Sequence, residues 1–506
     1  MEYLVDSNQM KAIDDFTINQ IGIPSMVLME RAALAVSNKM LEKISKTDSI
    51  LVICGTGNNG ADGVAVARIL KSKGFLVDIY IVGEESRRSE ELKQQLFIAK
   101  NLDVNVINNA KISEYNVIID ALFGIGLSKP ITGVFAEVIE SVNTCDNLVF
   151  SVDIPSGIHS GCGQIMKHAI KADYTITFGY RKAGLMLYPG CEFAGEVTVE
   201  DVGFPYKAVE ATSLDTFMFT KEDLHNLPTR RKDSNKGSFG KVLVIAGSQN
   251  MSGACYFSAK AAYRTGAGLV KVLTVEENRS IMQSILPEAI ISTYHPNLRD
   301  NKLEMDRVVH EIQWATAIVF GPGMGTTSTA ELLLELVLKY ANVPVILDAD
   351  GLTMLADCRE YVSDKEKGLR EIDLPGNVII TPHLKEMSRL LNCTTAQVKE
   401  NLVPIVRNVT KEKQFVLVLK DARTFVGKDG AYYVNVSGNN GMATGGSGDV
   451  LTGVIAGLVA NGMTTYDAAC YGVYVHGLAG DMAAKEKSTY SLMASDIIDS
   501  LCKILP

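Results

Sequence analysis

Short apolar segments alternate with helical segments along most of this chain of 506 residues, in two successive series. Most of the segments are continuously apolar, which is typical of parallel strands that helices cover on both faces. Because 506 residues exceed what one hydrophobic core usually serves, the sequence predicts two doubly wound α/β domains. The predicted strands are 50–54, 75–82, 117–120, 148–153, 174–178 and 196–202, then 241–247, 269–275, 315–320, 343–348, 378–381 and 415–420, followed by helices 449–460 and 466–484.

The boundary is predicted between residues 215 and 216, which gives domains 1–215 and 216–506, because residues 206–218 carry no strong periodicity. Ahead of the first series, residues 1–40 predict two helices, of which the second covers 25–40. These helices can cap their own domain or pack on a neighbouring subunit, and we expect a homo-oligomer. The side of the second helix that is expected to be apolar contains Val27, Leu28, Leu34 and Val36.

Charge and cysteine content restrict the possible partners and the compartment. The formal charge of −9 argues against a nucleic-acid partner, which would need a basic face. The nine cysteines form no CxxC pair, and we expect Cys162 and Cys191 to lack the His or Cys neighbours of a zinc site. Reduced, mostly buried thiols are therefore expected. The polar N-terminus and the lack of an apolar stretch of about 18 residues predict a cytoplasmic protein that does not enter a membrane.

The first glycine-rich loop, Gly55–Gly60, has the form G-x-G-x-x-G between a predicted strand and a predicted helix. That context fits a nicotinamide-dependent dehydrogenase, with Glu84 as the acid that binds the ribose. However, Asp62 is predicted in the first turn of the helix, where a carboxylate repels a bound pyrophosphate. Asn58 and Asn59 offer oxygen ligands for a hard cation, where a dinucleotide loop prefers small residues. The side chains thus favour binding of other polar groups.

Two further acids follow predicted strands, Asp120 in IIDALFGIG and Asp153 in VDIPSG. In open α/β sheets the ligand crevice lies outside the carboxyl ends of the strands. Asp62, Asp120 and Asp153 are therefore expected to converge, with Ser156 and the loop Gly124–Pro130 nearby. Each acid can instead cap a helix or a turn. No His or Cys nucleophile accompanies them, so the expected chemistry is proton transfer and polar binding.

Four segments, GTGNNGADG, DALFGIGL, SVDIPSG and ADYTITFGYRKAGL, resemble the NAD(P)H-hydrate epimerase family in that order, over residues 1–205. The resemblance implies a Rossmann-like domain in which Asp153 is the catalytic acid/base for epimerisation at nicotinamide C6. It also implies a potassium ion held by Asn59, Asp120 and Ser156. The implied substrate-binding residues are Asn58, Asn59, Gly60, Ala61, Asp62, Asp153 and a phosphate-binding loop of Gly124, Ile125, Gly126, Leu127, Ser128, Lys129 and Pro130.

The second glycine-rich loop, Thr444–Asp449, precedes an apolar helix. A flexible backbone, small side chains, a helix N-terminus and one carboxylate coincide there, which favours an anion hole for a phosphoryl group in transfer. Asp449 can take the proton from an attacking hydroxyl. The loop lacks the GK[ST] ending of a P-loop. A plain turn with Asp449 as the N-cap is the alternative.

The position of this loop late in its domain resembles the ribokinase-like superfamily. KGSFGKVLVIAGS, GPGMG, LDADGL and TPHLKEMSRL resemble its NAD(P)H-hydrate dehydratase branch over about residues 220–505. Magnesium is expected to bridge the donor phosphates, with Glu386 or the Asp348/Asp350 pair organising it through water or serving as turn and cap residues. The implied substrate contacts are Ala254, Gly323, His383 and the catalytic Asp449, and the implied contacts to ADP are Lys420, Asp421, Ala422, Arg423, Thr424, Gly445, Gly446, Ser447 and Gly448.

Together the resemblances imply repair of hydrated NADH and NADPH. The R and S hydrates would be epimerised at C6, and ADP-dependent dehydration of the S form through a phosphorylated intermediate would give NAD(P)H, AMP and phosphate. One alternative is a sugar or vitamin kinase with a ligand-binding N-terminal domain, which would release a stable phosphorylated product. The dehydrogenase is the other enzymatic alternative. A non-enzymatic interaction module is disfavoured by the presence of Asp120 and Asp153.

Overall fold

A computed structural model describes residues 1–357, 374–411 and 413–506. These residues form two compact units, Glu2–Thr216 and Phe217–Pro506, and the second unit also includes Met1. Each unit contains helices and a sheet, which is parallel in the first unit and mostly parallel in the second, so the predicted α/β class is confirmed. Among the described residues, no helix combines the length and the apolar character needed to cross a membrane.

The first unit contains a seven-stranded sheet in the order β4-β3-β2-β5-β6-β7-β9, in which every pair is parallel, and β1 pairs in parallel with β8. Its strands are β1 (Glu2–Val5), β2 (Ser49–Cys54), β3 (Leu76–Ile81), β4 (Asn105–Ile107), β5 (Val117–Ala121), β6 (Leu148–Val152), β7 (Tyr174–Phe178), β8 (Arg181–Lys182) and β9 (Glu196–Glu200). Its helices are α1 (Ser7–Asp15), α2 (Ser25–Leu41), α3 (Asn58–Ser72), α4 (Glu90–Asn101), α5 (Val134–Asn143) and α6 (Tyr206–Thr212).

Strand β10 (Thr216–Met218) lies at the boundary of the units, and the described residues of the second unit form nine strands in the order β13-β12-β11-β14-β15-β16-β17-β18-β19. They are β11 (Lys241–Ile245), β12 (Leu269–Val275), β13 (Ile290–Tyr294), β14 (Ala317–Phe320), β15 (Val345–Leu347), β16 (Val378–Ile380), β17 (Val416–Leu419), β18 (Phe425–Lys428) and β19 (Ala431–Val434). The helices are α7 (Ser252–Arg264), α8 (Arg279–Ile285), α9 (Lys302–Trp314), α10 (Ser328–Tyr340), α11 (Asp350–Asp357), α12 (Leu384–Leu390), α13 (Thr395–Glu400), α14 (Leu402–Lys411), α15 (Ser447–Ala460), α16 (Thr465–Lys487) and α17 (Ala494–Ser500).

The central strands of both sheets are buried along their length, which explains their continuous apolar sequences. In the first unit β5 is buried at every position, and in the second unit β14, β15, β16 and β17 are. Full burial of one Val, Leu or Ile side chain contributes about 1.5–3 kcal/mol. The ends of these strands are therefore fixed in space, and the loops that follow them are the places where functional side chains can be held.

The structure corrects several predictions about local structure. The hairpin β18–β19 was missed, although its turn, Asp429-Gly430, has positive φ at both residues, as a two-residue hairpin requires. The short strands β4 and β13 were also missed, and the segment 206–218 contains α6 and β10 rather than an unstructured join. The predicted apolar side of α2 is wrong in part, since Val27 and Leu34 are exposed and the buried side contains Leu28, Met29, Ala32, Ala33, Val36 and Met40.

The prediction for the thiols is also wrong in part. Of the eight described cysteines only Cys54, Cys255 and Cys470 are buried, and Cys358 lies outside the described residues. Cys162 has a His neighbour after all, because its Sγ lies 3.3 Å from Nδ1 of His159. A turn brings the two side chains together.

Candidate active sites

The first glycine-rich loop joins β2 to α3 by close backbone packing. A Cβ on Gly55 would lie 2.0 Å from the carbonyl oxygen of Leu122, and a Cβ on Gly60 would lie 2.1 Å from that of Gly55. Neither position therefore accommodates a side chain. At Gly57 a Cβ would meet no other described residue within 4 Å, and α3 begins at the next residue. Because the helix starts so early, Asp62 lies just beyond the first turn and not within it as was predicted.

This loop opens onto a cavity of 620 Å³ within the first unit, which is the size of a small-molecule site. Helix α1 forms part of the wall and is held at its start by Asp6, whose Oδ1 accepts hydrogen bonds from Asn8 N and Gln9 N. The lining residues are Met10, Lys11, Asp14, Thr56, Gly57, Asn58, Asn59, Asp62, Leu122, Phe123, Gly124, Ile125, Gly126, Leu127, Ser128, Lys129, Phe135, Asp153, Phe178, Lys182 and Phe204.

Asp153 follows β6 and enters the cavity wall with a left-handed backbone φ of 69°. Non-glycine residues in this region are strained and cluster at functional sites. Oδ1 of Asp153 accepts hydrogen bonds from Thr177 Oγ1 at 3.0 Å and from Phe178 N at 3.2 Å. The same oxygen forms an ion pair with Nζ of Lys182. Asp153 is therefore a carboxylate held firmly in one orientation.

Lys182 is the main residue of this site that sequence reasoning missed. Its side chain is only 1% exposed, and Nζ also donates to Thr177 Oγ1 at 2.9 Å and to the carbonyl oxygen of Phe178 at 3.0 Å. With Asp153, these acceptors satisfy all three donors of the ammonium group, as burial of a cation requires. Lys182 is part of the motif FGYRKAGL, but it lies 29 positions after Asp153. Its contact with Asp153 therefore depends on how the intervening chain folds.

Asp120 does not line the cavity but lies behind its wall, where the residue is 1% exposed. One oxygen accepts from Ser156 Oγ at 2.5 Å and Leu122 N at 3.3 Å, and the other accepts from Ser151 Oγ and Ser156 N, both at 2.8 Å. Burial raises the pKa of Asp120 more than these hydrogen bonds lower it. Nearby, Asn59 lies against Gly124, and its amide nitrogen is buried without a hydrogen-bond partner among the described residues.

Two more carboxyl groups, Asp14 on α1 and Asp62 on α3, share the cavity wall with Asp153. Burial raises the pKa of Asp62 well above its ordinary value, and the charges of Asp153, Asp14 and Glu91 raise it further. The pKa of Asp14 is also raised by burial, with smaller contributions from Asp15 and Asp153. The wall therefore combines an ion-paired carboxylate with carboxyl groups that resist ionisation.

The structure brings most, but not all, of the predicted substrate-binding residues to this wall. Gly60 and Pro130 do not line it, and Ala61 points into the hydrophobic core of the unit. The ribose-binding acid of the dehydrogenase hypothesis is also absent from the wall, because Glu84 is 70% exposed and pairs with Arg87. Besides Lys182, sequence reasoning missed the lining residues Met10, Lys11, Asp14, Phe135, Phe178 and Phe204.

In the second unit, the other glycine-rich loop leads directly into α15. Gly446 is the N-cap, with a φ of 88°, and a Cβ there would lie 2.7 Å from the ring of Phe257. At Gly445 a Cβ would meet no described residue within 4 Å. The helix begins at Ser447, so Asp449 lies in its first turn and is not the N-cap that the plain-turn alternative supposed.

Asp449 is poised to exchange a proton near neutral pH. Burial raises the pKa of this carboxyl to about 7, the charges of Asp348 and Asp350 add to the increase, and Lys420 opposes it. A carboxylate with such a pKa is suited to general base catalysis. The backbone carbonyl of Asp449 accepts hydrogen bonds from Ser258 Oγ at 2.9 Å and Thr452 Oγ1 at 2.8 Å, which anchor this turn of the helix.

An ion pair stands against the N-terminus of α15. Nζ of Lys420 lies 2.7 Å from Oδ1 of Asp348, and a Cβ on Gly448 would lie 3.4 Å from that Nζ. Glycine at position 448 thus leaves the lysine close to the first turn. Asp350, the other acid of LDADGL, accepts a hydrogen bond from Gly325 N at 2.8 Å.

His383 caps helix α12 and lies beside Lys420 in a short parallel bridge. Its Nδ1 accepts from Lys385 N at 3.0 Å and Glu386 N at 3.2 Å, while Glu386 accepts from the backbone N of His383 at 2.8 Å. Burial and the charge of Lys420 lower the pKa of His383, and burial raises the pKa of Glu386 to about 7. Both residues therefore have cap roles in the structure.

The other predicted residues of this site are placed as follows. Gly323 adjoins Ala254, since a Cβ on Gly323 would lie 2.8 Å from the Cβ of Ala254. In the turn between β17 and β18, Arg423 donates to the carbonyl of Val436 at 3.0 Å and Thr424 donates to that of Asp421 at 3.4 Å, while Ala422 is exposed. These hydrogen bonds shape the turn and do not reach Asp449.

Sequence reasoning missed a buried histidine behind the second loop. His476 on α16 has its Nε2 3.4 Å from Oγ of Ser447, and burial lowers the pKa of His476 to about 4, so the ring is neutral. Because it lies in a continuous apolar helix, nothing in its sequence context distinguished it from a core residue. Among the described residues, no group of three His, Cys, Asp or Glu side chains could hold a metal ion.

Two α/β units, each with a carboxylate beside a glycine-rich loop that starts a helix, define a two-domain α/β enzyme. The family model for NAD(P)H-hydrate dehydratase matches residues 242–503, and that for the YjeF-related protein N-terminus matches residues 25–184. A solved ribokinase-like superfamily protein from Enterococcus faecalis V583 is 29% identical, with a TM-score of 0.50, covering 57% of this chain and 95% of its own.

Relatives match this chain over nearly its whole length. The bifunctional NAD(P)H-hydrate repair enzyme Nnr of Thermofilum pendens is 34% identical over 98% of this chain and 95% of its own. The enzyme of the same name from Escherichia coli K12 is 32% identical over 96% of this chain and 90% of its own. The chain belongs to the family of bifunctional NAD(P)H-hydrate repair enzymes. The resemblance seen in the sequence is confirmed, and the kinase alternative is not favoured.

Proposed function

We propose that this protein restores hydrated NADH and NADPH in two steps. The first unit interconverts the R and S hydrates at nicotinamide C6, and the second dehydrates the S form with ADP, which yields NAD(P)H, AMP and phosphate. The observation that supports this most directly is the presence, in one chain, of two sites that each hold a carboxylate beside a glycine-rich loop. We assign the two functions to domains 1–215 and 216–506.

In the first domain, Asp153 exchanges a proton with the C6 hydroxyl. Its fixed orientation, set by Thr177, Phe178 and Lys182, supports this role because proton transfer requires close and constant geometry. The dinucleotide lies along the cavity with its phosphates at the loop Gly124–Pro130, where Lys129 is among the lining residues. Asn58, Asn59 and Asp62 form the remaining contacts with the substrate, whereas Gly60 and Ala61 support the loop from behind the cavity wall.

A potassium ion is proposed at Asn59, Asp120 and Ser156. The fit rests on the buried carboxylate of Asp120, which lies 2.5 Å from Ser156 Oγ, and on the side-chain oxygen of Asn59. The atom of Asn59 without a hydrogen-bond partner among the described residues is its Nδ2, a donor that does not bind a cation. Oxygen ligands of this kind suit a hard cation, which would supply positive charge beside the site. Addition of K+ should then raise the melting temperature of the protein, and it should not do so for Asp120→Asn.

In the second domain, Asp449 takes the proton of the C6 hydroxyl as the hydroxyl oxygen bonds to the β-phosphorus of ADP and AMP leaves. Backbone amides of Gly445, Gly446, Ser447 and Gly448 face the transferred phosphoryl group, as expected at a helix N-terminus. Phosphate then departs from C6 with its bonding electrons, and loss of a proton from C5 restores the dihydronicotinamide ring. The substrate lies against Ala254, Gly323 and His383.

Mg2+ fits this site as an ion held by the phosphates of ADP rather than by a protein cage. Asp348 is paired with Lys420, Asp350 accepts a backbone hydrogen bond and Glu386 caps α12, so each carboxylate is already engaged. Mg2+ commonly keeps several waters and binds through substrate phosphates, whose charge it neutralises. The adenine nucleotide itself is held by Lys420, Asp421, Ala422, Arg423 and Thr424.

The proposal is tested with a mixture of the R and S hydrates of NADH, Mg2+ and ADP. Complete return of NADH absorbance, with release of AMP and phosphate, is expected, and ATP in place of ADP establishes the preferred donor. Accumulation of a stable phosphorylated compound would instead support the kinase alternative. If only the S hydrate is converted and the R hydrate remains, the proposed epimerase activity is contradicted. A cytoplasmic location and a homo-oligomer stay predictions, which fractionation and light scattering can measure.

A further inference from the structure

Two carboxyl groups in the epimerase cavity have opposite surroundings. Asp153 accepts hydrogen bonds and forms an ion pair with the buried Lys182, an arrangement that suits a charged carboxylate. Asp62 lines the same cavity, but the charged groups that act on it are the carboxylates of Asp14, Asp153 and Glu91. A carboxyl that is ion-paired and a neighbouring carboxyl that is surrounded by other acids are suited to serve as the base and the acid, respectively.

The proposed reaction needs proton transfers on both faces of the ring. Inversion at C6 requires a hydroxyl to leave from one face of the ring and water to add to the other face. The departing oxygen must gain a proton and the incoming water must then lose one, and a carboxyl that is held in one orientation reaches only one of the two faces. Asp153 alone therefore leaves one of the two proton transfers without a partner.

We propose that Asp62 is the second catalytic residue of the epimerase and acts on the ring face opposite Asp153. This inference rests on the function proposed above and deepens it. The C6–O bond breaks with its electron pair on oxygen, which takes the proton of Asp62 and leaves as water, while the N1 lone pair forms an N1=C6 double bond. Water then adds to C6 from the other face, the N1 lone pair is restored, and Asp153 accepts the proton. Proton exchange with solvent then returns Asp62 to its protonated form and Asp153 to its ionised form, and the reverse reaction exchanges the two roles.

The position of Asp62 supports this assignment. It lies on α3 just after the first glycine-rich loop, whose close packing at Gly55 and Gly60 fixes the start of the helix. Burial and the neighbouring carboxylates favour its protonated form, which is the form that a proton donor needs. The titratable groups around it come from four other elements: Asp14 on α1, Glu91 on α4, Cys54 on β2 and Asp153 after β6.

The test measures epimerisation alone, in the absence of nucleotide, by following conversion of the purified R hydrate into the S hydrate. In H2(18)O, the product should carry solvent oxygen at C6, because the original C–O bond breaks. Asp62→Asn keeps the size of the side chain but cannot transfer a proton, and it should lower kcat by about 10²–10⁴-fold with little change in KM. It should also remove the fall in rate at high pH, which reports ionisation of the donor.

Two controls separate this inference from a folding defect and from the proposed function. Urea unfolding of Asp62→Asn followed by circular dichroism should match the wild type, which shows that the first unit is folded, and dehydration of the S hydrate with ADP should be unchanged because it takes place in the second unit. Glu91→Gln removes a charge that acts on Asp62 and lies outside the cavity wall, so it should keep the maximal rate and move only the high-pH limb to lower pH.

If Asp62→Asn epimerises at the wild-type rate, or changes KM alone, Asp62 only binds substrate and the inference is overturned while the proposed function stands. If Asp14→Asn instead shows the loss of kcat and of the high-pH limb, the donor is Asp14 and the assignment to Asp62 is overturned. Failure of the wild type to epimerise would overturn the proposed function itself.

Discussion

The two candidate sites place a carboxylate beside a glycine-rich loop, but they surround that carboxylate with different charges. Asp153 shares its Oδ1 with the ammonium of Lys182, which is almost completely buried. Asp449 has a lysine nearby as well, yet Lys420 is paired with Asp348, and burial raises the pKa of Asp449 to about 7. One carboxylate is thus held by an ion pair, and the other is left free to exchange its proton near neutrality.

This difference shows that a shared sequence pattern does not determine how a carboxylate behaves. In both units the strand and helix ends bring the acid to the loop, whereas the cation near it comes from a distant segment of the chain. Lys182 lies 29 positions after Asp153, and Lys420 lies 72 positions after Asp348. The following experiments test whether the two carboxylates differ in the way that their neighbours indicate.

The largest expected effect comes from exchanging the two carboxyls for amides, one at a time. Asp449→Asn should lower dehydration by about 10²–10⁴-fold, because no base remains for the C6 hydroxyl. Epimerisation by the same variant should stay at the wild-type rate, and Asp153→Asn should show the reverse pattern. Assays of both half-reactions on each variant check this, and loss of both activities in either variant would contradict separate sites.

Lys182→Met should lower epimerisation and the stability of the first unit together. Leaving a largely buried carboxylate without its partner costs about 3–5 kcal/mol, an upper limit here because Asp153 also borders the cavity. The double variant Lys182→Met/Asp153→Asn should recover much of the free energy of unfolding without recovering activity. Urea unfolding followed by far-UV circular dichroism measures these free energies of unfolding. Equal stability of wild type and Lys182→Met would show that the ion pair contributes little.

The two half-reactions should differ in their dependence on pH. The pKa of Asp449 is raised to about 7, so its base form is lost as the pH falls below that value. Dehydration should then decrease by about tenfold for each pH unit below neutrality, because only the ionised fraction can accept the proton. Measuring kcat/KM with the S hydrate over the acidic range checks this. A rate that stays constant well below neutral pH would contradict a base role for Asp449.

The smallest expected effect concerns the backbone of the second loop. Gly446→Ala should lower the free energy of unfolding by about 1–2 kcal/mol or more, since φ is 88° and the new methyl group would meet the ring of Phe257. Gly445→Ala is the matched control, because its Cβ would meet no described residue within 4 Å. Denaturant unfolding of both variants measures the two changes in free energy. Equal destabilisation would contradict the claim that the backbone at Gly446 requires glycine.

Some features of the site follow from the sequence because they are local. The loops G-x-G-x-x-G and TGGSGD, and the acids that come directly after strands, are specified by neighbouring residues and by strand ends. For this reason, the sequence predicts residues 58, 59, 62 and 124–129 as site residues, and all of them line the cavity of the first unit. The helix starts were less accurate, since α3 and α15 both begin within the glycine-rich loops.

The sequence by itself determined the α/β class, the positions of the central strands along the chain and the two glycine-rich loops, because hydrophobic periodicity and glycine content act over a few neighbouring residues. Tertiary structure alone decided that α1 lines the first cavity, that Lys182 is paired with Asp153 and that Lys420 is paired with Asp348. The physical reason is that burial and Coulomb interactions depend on distance in space, so segments far apart in the chain act on a carboxyl only once the sheet has brought them together.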